Sequence, residues 1–221
     1  MRDDFDWGPI SKEGIDLLHQ EVFLRRMYEA FDEVKEGDIV IDFGATTGDF
    51  VCSILDKKPL HVYALEPSEQ LFSYLVRNTK GYPVTNINQA IADKDDYVIC
   101  PGVCHSDSKI VSGITFQSFI TLGAIDHINF LKTDCEGGEY YIFTDENMNF
   151  LLNNVDVIVG EWHLSTPELK EKFRNFRDKY LVQFNYEIRD ISGKVDIKSG
   201  VFTEEFVKYY TEIFIYLRGK K

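Results

Sequence analysis

No stretch of this chain approaches the roughly 20 consecutive apolar residues that a membrane-spanning helix requires. Basic residues are also short: 24 Lys and Arg stand against 37 Asp and Glu, leaving a formal net charge of −13. A nucleic-acid binder neutralises phosphates with a basic face, so neither nucleic acid nor an anionic membrane surface is expected as a partner. Cysteine is sparse, at 52, 100, 104 and 135, which fits reduced cytoplasmic thiols better than a disulfide framework. The string Cys100-Pro101-Gly102-Val103-Cys104-His105 offers two sulfurs and an imidazole, but no second ligand pair of zinc spacing follows. A turn at Pro101-Gly102 explains it, and no metal is expected there. The first ten residues, MRDDFDWGPI, are acidic and lack the apolar centre of a secretory signal, so the expected location is cytoplasmic. Internal repeats, low-complexity tracts and linkers are absent from the sequence.

What is present suits one α/β domain over residues 1–221, with 1–27 as a helical cap. Hydrophobic residues make up 44% and aromatics 14%, enough to fill a sizeable core. Helical spacing of apolar residues predicts a helix over 11–34, stopped by Gly37. Strands are expected at 38–43, 60–66, 82–91, 126–134, 154–162, 180–191 and 211–219. Helices are expected from Gly48 to Leu55, at 68–79 with Ser68 as N-cap, and at 167–180. Between 92 and 125 a strand near 97–100, a loop and a short helix at 116–122 are expected. Strands alternating with helices predict a Rossmann-like, seven-stranded sheet, mostly parallel with an antiparallel C-terminal strand and helices on both faces. Ligands bind such sheets beyond the carboxyl ends of the strands, where Asp42, Glu66, Gln89, Asp134 and Glu161 stand.

The segment Val40–Phe50 (VIDFGATTGDF) reads as strand, glycine turn and helix start. A nicotinamide-dinucleotide fingerprint would want glycine at 46 and 49, where Thr46 and Asp49 stand, and a carboxylate at a helix N-terminus repels a diphosphate. A second segment, Phe130–Tyr140 (FLKTDCEGGEY), starts like a buried strand and ends with Asp134, Glu136 and Glu139 around two glycines. Together with Asp42, Asp49, Glu66 and Glu161 these acids predict a negative crevice. It suits a cofactor with no phosphate, a positive charge and ribose hydroxyls, a description that S-adenosylmethionine meets. Asp134, Glu136 and Glu139 could instead offer oxygens to Mg²⁺ or Ca²⁺, a reading the Gly-Gly pair and the lack of a downstream Asp-Asn pair disfavour.

In order and spacing, VIDFGATTGDF, VYALEPSEQLF, NQAIADKD, INFLKTDCEGGEYYIF and VIVGEWH resemble the FkbM-type S-adenosylmethionine-dependent methyltransferases, over about residues 28–190. The most specific element is LKTDCEGGE, similar to the family pattern Lys-x-Asp-x-Glu-Gly-x-Glu. The resemblance implies that Asp42, Gly44, Ala45, Thr46 and Gly48 border the methionine part of the cofactor. It implies that Glu66 takes the ribose hydroxyls, that Gln89 and Ala90 meet the adenine, and that Asp134 stands beneath the sulfonium. Gln89 replaces a more common acid, and Gly138 replaces a common alanine.

Methyl transfer is an in-line displacement that needs the acceptor held opposite the sulfur and, for a hydroxyl acceptor, a base. Asp134, Glu136 and His163 are the catalytic candidates, with Glu139 and Glu161 as neighbours. His163 titrates near neutrality by default, although a histidine beside a tryptophan is often simply packed. The acceptor expected is a hydroxyl on a small molecule or glycan. Trp7, Tyr28, Tyr140 and Trp162 are candidate rings for its pocket. The alternatives are an inactive cofactor-binding module and, less favoured by Thr46 and Asp49, an NAD-dependent oxidoreductase.

Overall fold

The computed structural model describes residues 5–100 and 109–220. Cys104 and His105 of the cysteine-rich string lie outside them. Ten short strands alternate with seven helices among these residues. The first half holds α1 (Lys12–Leu18), β1 (Ile39–Phe43), α2 (Asp49–Ile54), β2 (His61–Leu65), α3 (Glu69–Asn78), β3 (Val84–Ile87), β4 (Ala90–Ile91), β5 (Tyr97–Cys100), β6 (Lys109–Ile114) and α4 (Phe116–Leu122). The second holds β7 (Ile128–Thr133), α5 (Asp145–Asn154), β8 (Val155–His163), α6 (Pro167–Lys179), β9 (Phe184–Asp190), α7 (Glu204–Tyr209) and β10 (Glu212–Gly219). Ser68, Thr115, Thr144, Thr166 and Thr203 each accept a backbone N–H at a helix start, so side-chain capping sets these boundaries.

Seven strands form one sheet in the order β3-β2-β1-β7-β8-β10-β9. Every pair from β3 to β8 is parallel, and β10 runs antiparallel to both β8 and β9. The order reverses between β1 and β7, which is where the fold opens a crevice. The expected strand 82–91 divides in two, because β4 leaves the main sheet to pair with β6 in a three-stranded sheet with β5. Helices α5 and α7 were not anticipated; α5 carries only Met148 and Leu151 as buried apolar residues, too weak a stripe to stand out.

Beyond the first residues of β7 and β8, Ile128 and Val155, the strands alternate between two cores. Val40, Phe130, Val157, Val159, Phe214 and Tyr216 pack with Phe50, Val51 and Ile54 of α2 and Leu75 of α3. Ile41, Phe43, Leu131, Ile158, Ile213 and Ile215 pack with Phe116 and Phe119 of α4, Leu151 of α5, Phe173 of α6 and Phe206 of α7. Period-two side-chain direction makes this division. It also fixes the site, because Asp42, Glu66, Lys132, Asp134 and Glu161 all have the parity of the α2 face.

The expected long helix over 11–34 is replaced by a broken segment. Helix α1 buries none of its residues, passes into a π-helical turn at His19–Leu24, and stops at Arg26, whose φ is +49°. A short 3-10 turn at Met27–Glu29 follows. The wider π turn rotates Glu21 and Val22 inward, while Leu24 stays exposed. Among the described residues no helix is long and apolar enough to cross a membrane.

Candidate functional site

The glycine turn after β1 is shaped by close backbone contact. Gly44 has φ +82°, and a Cβ there would lie 1.7 Å from the carbonyl oxygen of Asp134. Only glycine permits that approach. The Asp134 N–H donates to the Phe43 carbonyl at 3.0 Å, so the turn and the end of β7 are tied together. Gly48, at φ +90°, caps α2 and abuts Leu75 of α3. Between them Ala45 and Thr47 are fully buried, and Thr46 is held by Glu66, whose Oε2 accepts the Thr46 N–H at 2.9 Å. Glu66 Oε1 accepts the Ser68 N–H at 2.8 Å. Burial pushes the Glu66 carboxyl up to about 7 against the pull of these two donors. Asp49 accepts from the Phe50 N–H and the Thr46 hydroxyl at 2.8 and 3.1 Å, so it stabilises the turn from inside. Burial also raises its carboxyl.

Lys132 is the residue the sequence reading passed over. Its partner in register is Asp42, so the two side chains leave neighbouring strands on the same face. The Lys132 ammonium lies 3.0 Å from Asp42 Oδ1 and donates to the Gly44 carbonyl at 2.9 Å. It stands 3.9 Å from Asp134 Oδ2 and 5.0 Å from the Tyr28 ring centre. Burial lowers its pKa, but Asp42, Asp134 and Asp49 outweigh that and hold it above the ordinary lysine range. Asp42, fully buried, is pushed by burial up to about 6, with Lys132 opposing. Asp42 Oδ2 finds no hydrogen-bond donor among the described residues. The crevice is thus not purely negative as expected, because it contains the committed Lys132 ammonium. The signal was available, since a lysine inside an apolar strand has to meet an acid at a matching register.

Asp134 stands at the carboxyl end of β7. Its Oδ2 accepts the Tyr28 hydroxyl at 2.6 Å, and its Oδ1 lies 4.0 Å from His163 Nε2. His163 is oriented by the fully buried Glu139, whose Oε1 accepts the His163 N–H at 2.8 Å and meets Nδ1 at 3.1 Å. Glu139 Oε2 accepts the Gly137 N–H at 2.9 Å. Nε2 is left facing Asp134 and Glu136, whose Oε2 is 3.6 Å away. Burial would lower the imidazole's pKa, but Glu139, Asp134 and Glu161 hold it well above 6.5. Glu136 sits at φ +55°, a strained conformation for a residue with a side chain. Burial raises its carboxyl. Glu139 is therefore a positioning group, which its spacing alone did not reveal.

Asp42, the turn 44–48, Glu66, Asp134, Glu136 and His163 lie near one another at the carboxyl ends of β1, β2, β7 and β8. The Gln89 amide nitrogen donates to Ser112 Oγ at 3.0 Å and to the Gly113 carbonyl at 3.3 Å. There it lines an open groove of about 530 Å³ beside the small sheet. The Ala90 side chain is buried against β6. Of the four candidate rings only Tyr28 reaches the site. Trp162 is fully buried against Phe176, Tyr140 is buried with its hydroxyl on the His163 carbonyl, and Trp7 packs on Phe5 and Phe23. No group of three or more His, Cys, Asp or Glu among the described residues is arranged to hold a metal ion.

Residues 103–188 match the family model for the methyltransferase FkbM domain. The FkbM resemblance read from the sequence is met over this segment, which contains β7, the Lys132–Glu139 motif and His163. No curated protein matches the sequence. The fold is similar to that of solved methyltransferase-type chains at low identity. A chain of the fibrillarin/NOP5P complex aligns with TM-score 0.56 and 15% identity, over 92% of this chain and 83% of that one. An rRNA methylase from Streptococcus thermophilus aligns with TM-score 0.51 and 8% identity, over 96% of this chain and 99% of that one. β1 and the glycine turn lie before the residues that the FkbM model matches.

Proposed function

We propose that this chain is an S-adenosylmethionine-dependent methyltransferase acting on a hydroxyl of a small molecule or glycan. The observation that carries the reading is the meeting of the glycine turn, Glu66 and Asp134 at the reversal of strand order. The residues fit the cofactor. Gly44 leaves a cradle that a Cβ would fill, Asp42 keeps an unsatisfied buried oxygen, and Glu66 retains lone pairs beside the turn. The nearest cation, Lys132, is engaged by Asp42 and the Gly44 carbonyl, so it does not serve a diphosphate. S-adenosylmethionine supplies, when bound, an electrophilic methyl on a sulfonium. Glu66 would hold the ribose hydroxyls, with Asp42, Ala45, Thr46 and Gly48 around the methionine part.

On the acceptor side the chain's own groups orient the hydroxyl and take its proton. Asp134, fixed by Tyr28, would accept a hydrogen bond from the hydroxyl and hold it for in-line approach. His163, with Nδ1 tied to Glu139, presents Nε2 as the proton acceptor once it is neutral, with Glu136 beside it. The acidic surface implied by the net charge of −13 favours a small acceptor over nucleic acid.

Calorimetry with S-adenosylmethionine, S-adenosylhomocysteine and NAD tests the reading. Micromolar binding of S-adenosylhomocysteine, lost in Glu66→Ala, is expected. Binding of NAD alone, or of no adenosine compound, overturns it.

A further inference from the structure

The glycine turn after β1 is strained, and one buried amide ties it to the N-terminal chain. Thr46 has φ +47°, a conformation that a β-branched residue resists and that persists only where its surroundings over-determine it. Glu66 and Asp49 hold Thr46 itself. The Thr47–Gly48 peptide is fixed at both ends: the Gly48 N–H donates to the Ala45 carbonyl at 2.7 Å, and the Thr47 carbonyl accepts from Asn78 Nδ2 at 2.8 Å. Asn78 is the last residue of α3 and is 2% exposed.

The rest of the Asn78 amide engages the N-terminal chain. Nδ2 also donates to the Asp6 carbonyl at 2.9 Å, and Oδ1 accepts the Asp6 N–H at 3.0 Å. Both amide protons are thereby used, and the side chain pairs with Asp6 much as a neighbouring backbone would. Gly8 completes the seat: at φ +61° it lies against Tyr74 of α3, where a Cβ would stand 2.7 Å from the ring. Trp7 packs on Phe23 of the π-helical turn, and the same chain continues to Tyr28, which donates to Asp134. Helix α1, which lies between, buries none of its residues and adds no core of its own.

An amide that grips the turn and the N-terminal chain at once makes the order of each depend on the other. Whatever fixes the Thr47 carbonyl favours the seated Asp6, and by linkage the seated Asp6 favours the turn. We propose that Asn78 is a positioning residue for the cofactor: through it, residues 5–8 and the glycine turn hold each other, so that binding of S-adenosylmethionine and seating of the N-terminal chain are coupled. This rests on the methyltransferase reading above and adds a residue that acts through the turn. Because the seated chain also carries Tyr28, the coupling runs from the cofactor side towards Asp134.

The test uses the full chain and two readouts, calorimetry with S-adenosylhomocysteine and hydrogen exchange with and without it. Asn78→Ala should weaken S-adenosylhomocysteine at least tenfold. Gly8→Ala, whose added methyl meets Tyr74 and not the turn, should weaken it at least threefold. In the double variant Gly8→Ala should add nothing to Asn78→Ala, since the route between them is already cut. S-adenosylhomocysteine should slow exchange of the Asp6 N–H in the unmodified chain and not in Asn78→Ala. An asparagine that only satisfied buried carbonyls would lower Tm without moving these readouts. Unchanged affinity in Gly8→Ala, or Asp6 exchange indifferent to S-adenosylhomocysteine, therefore overturns the assignment, and neither measurement requires that Asn78→Ala fold. Absence of S-adenosylhomocysteine binding in the unmodified chain overturns the methyltransferase reading itself, a separate and recognisable result.

Discussion

The ammonium of Lys132 lies 3.0 Å from Asp42 Oδ1, between neighbouring strands, with both side chains withdrawn from water. The pair is adjacent in register, and the same ammonium fixes the Gly44 carbonyl. Removing one member leaves the other charge buried alone, which costs about 3–5 kcal/mol. Lys132→Met should therefore lower unfolding stability by that order in a denaturant titration. Adding Asp42→Asn to it should restore a large part. If the double variant is no more stable than the single one, the two residues are not coupled.

Gly44→Ala places a methyl group on the Asp134 carbonyl at a φ that side chains resist. The turn has to move away from β7, taking Thr46 and its bond to Glu66 with it. The expected result is a folded chain of lower Tm whose S-adenosylhomocysteine affinity falls at least tenfold. Unchanged affinity would show that the turn does not shape the binding site.

Tyr28→Phe deletes the hydroxyl that donates to Asp134 at 2.6 Å. Hydrogen bonds to charged groups contribute about 1.5–3 kcal/mol, so thermal unfolding should report a loss of that order. Asp134 would then be less firmly aimed. Methyl transfer, measured with an accepted substrate, should show a fall in kcat larger than any change in KM for the cofactor.

Stability should decline with rising pH in the ligand-free chain. Asp42, Glu66, Glu21 and Glu161 carry pKa values raised from 3.8 or 4.5 to about 6, 7, 7 and 9. His163 is raised above 6.5. Each binds its proton more tightly in the folded state, so its contribution is present below the ordinary value and is lost as pH climbs to the raised one. Urea midpoints measured from pH 5 to 9 should fall throughout, and Glu161→Gln should flatten the upper end. A midpoint that rises over this range would contradict the burial of these acids.

His163 also sets a kinetic expectation. Because it is held protonated well past 6.5, kcat/KM for methyl transfer should rise on the alkaline side of neutrality. Replacing His163 with Asn should abolish that limb. A profile flat from pH 7 to 9 in the unmodified chain would remove His163 from the proton-accepting role.

The seven-stranded sheet was legible because apolar runs, glycine stops and the Ser68 cap agree with one another, whereas β6 gave no such signal and β3 and β4 read as one strand. The crevice was legible because acids stood where strands end. The N-terminal segment was not: its apolar spacing is helical, and only the packed structure shows the π turn and the break at Arg26 that bring Glu21 inward. The bond of Gln89 to Ser112 depends on the pairing of β4 with β6, a long-range contact that local pattern does not encode. Lys132 was visible but unweighted, since its meaning depends on the register with Asp42.

The alternation of the strands between two cores has a consequence for how this chain tolerates change. Deleting one residue from β7 between Phe130 and Lys132 would leave its hydrophobicity nearly the same, yet it would swing the ammonium into the aromatic layer beneath α4 to α6. Loops at the amino-terminal edge of the sheet face no such parity constraint. Length variation in this chain should accordingly collect at that edge and spare the strands, or enter them two residues at a time.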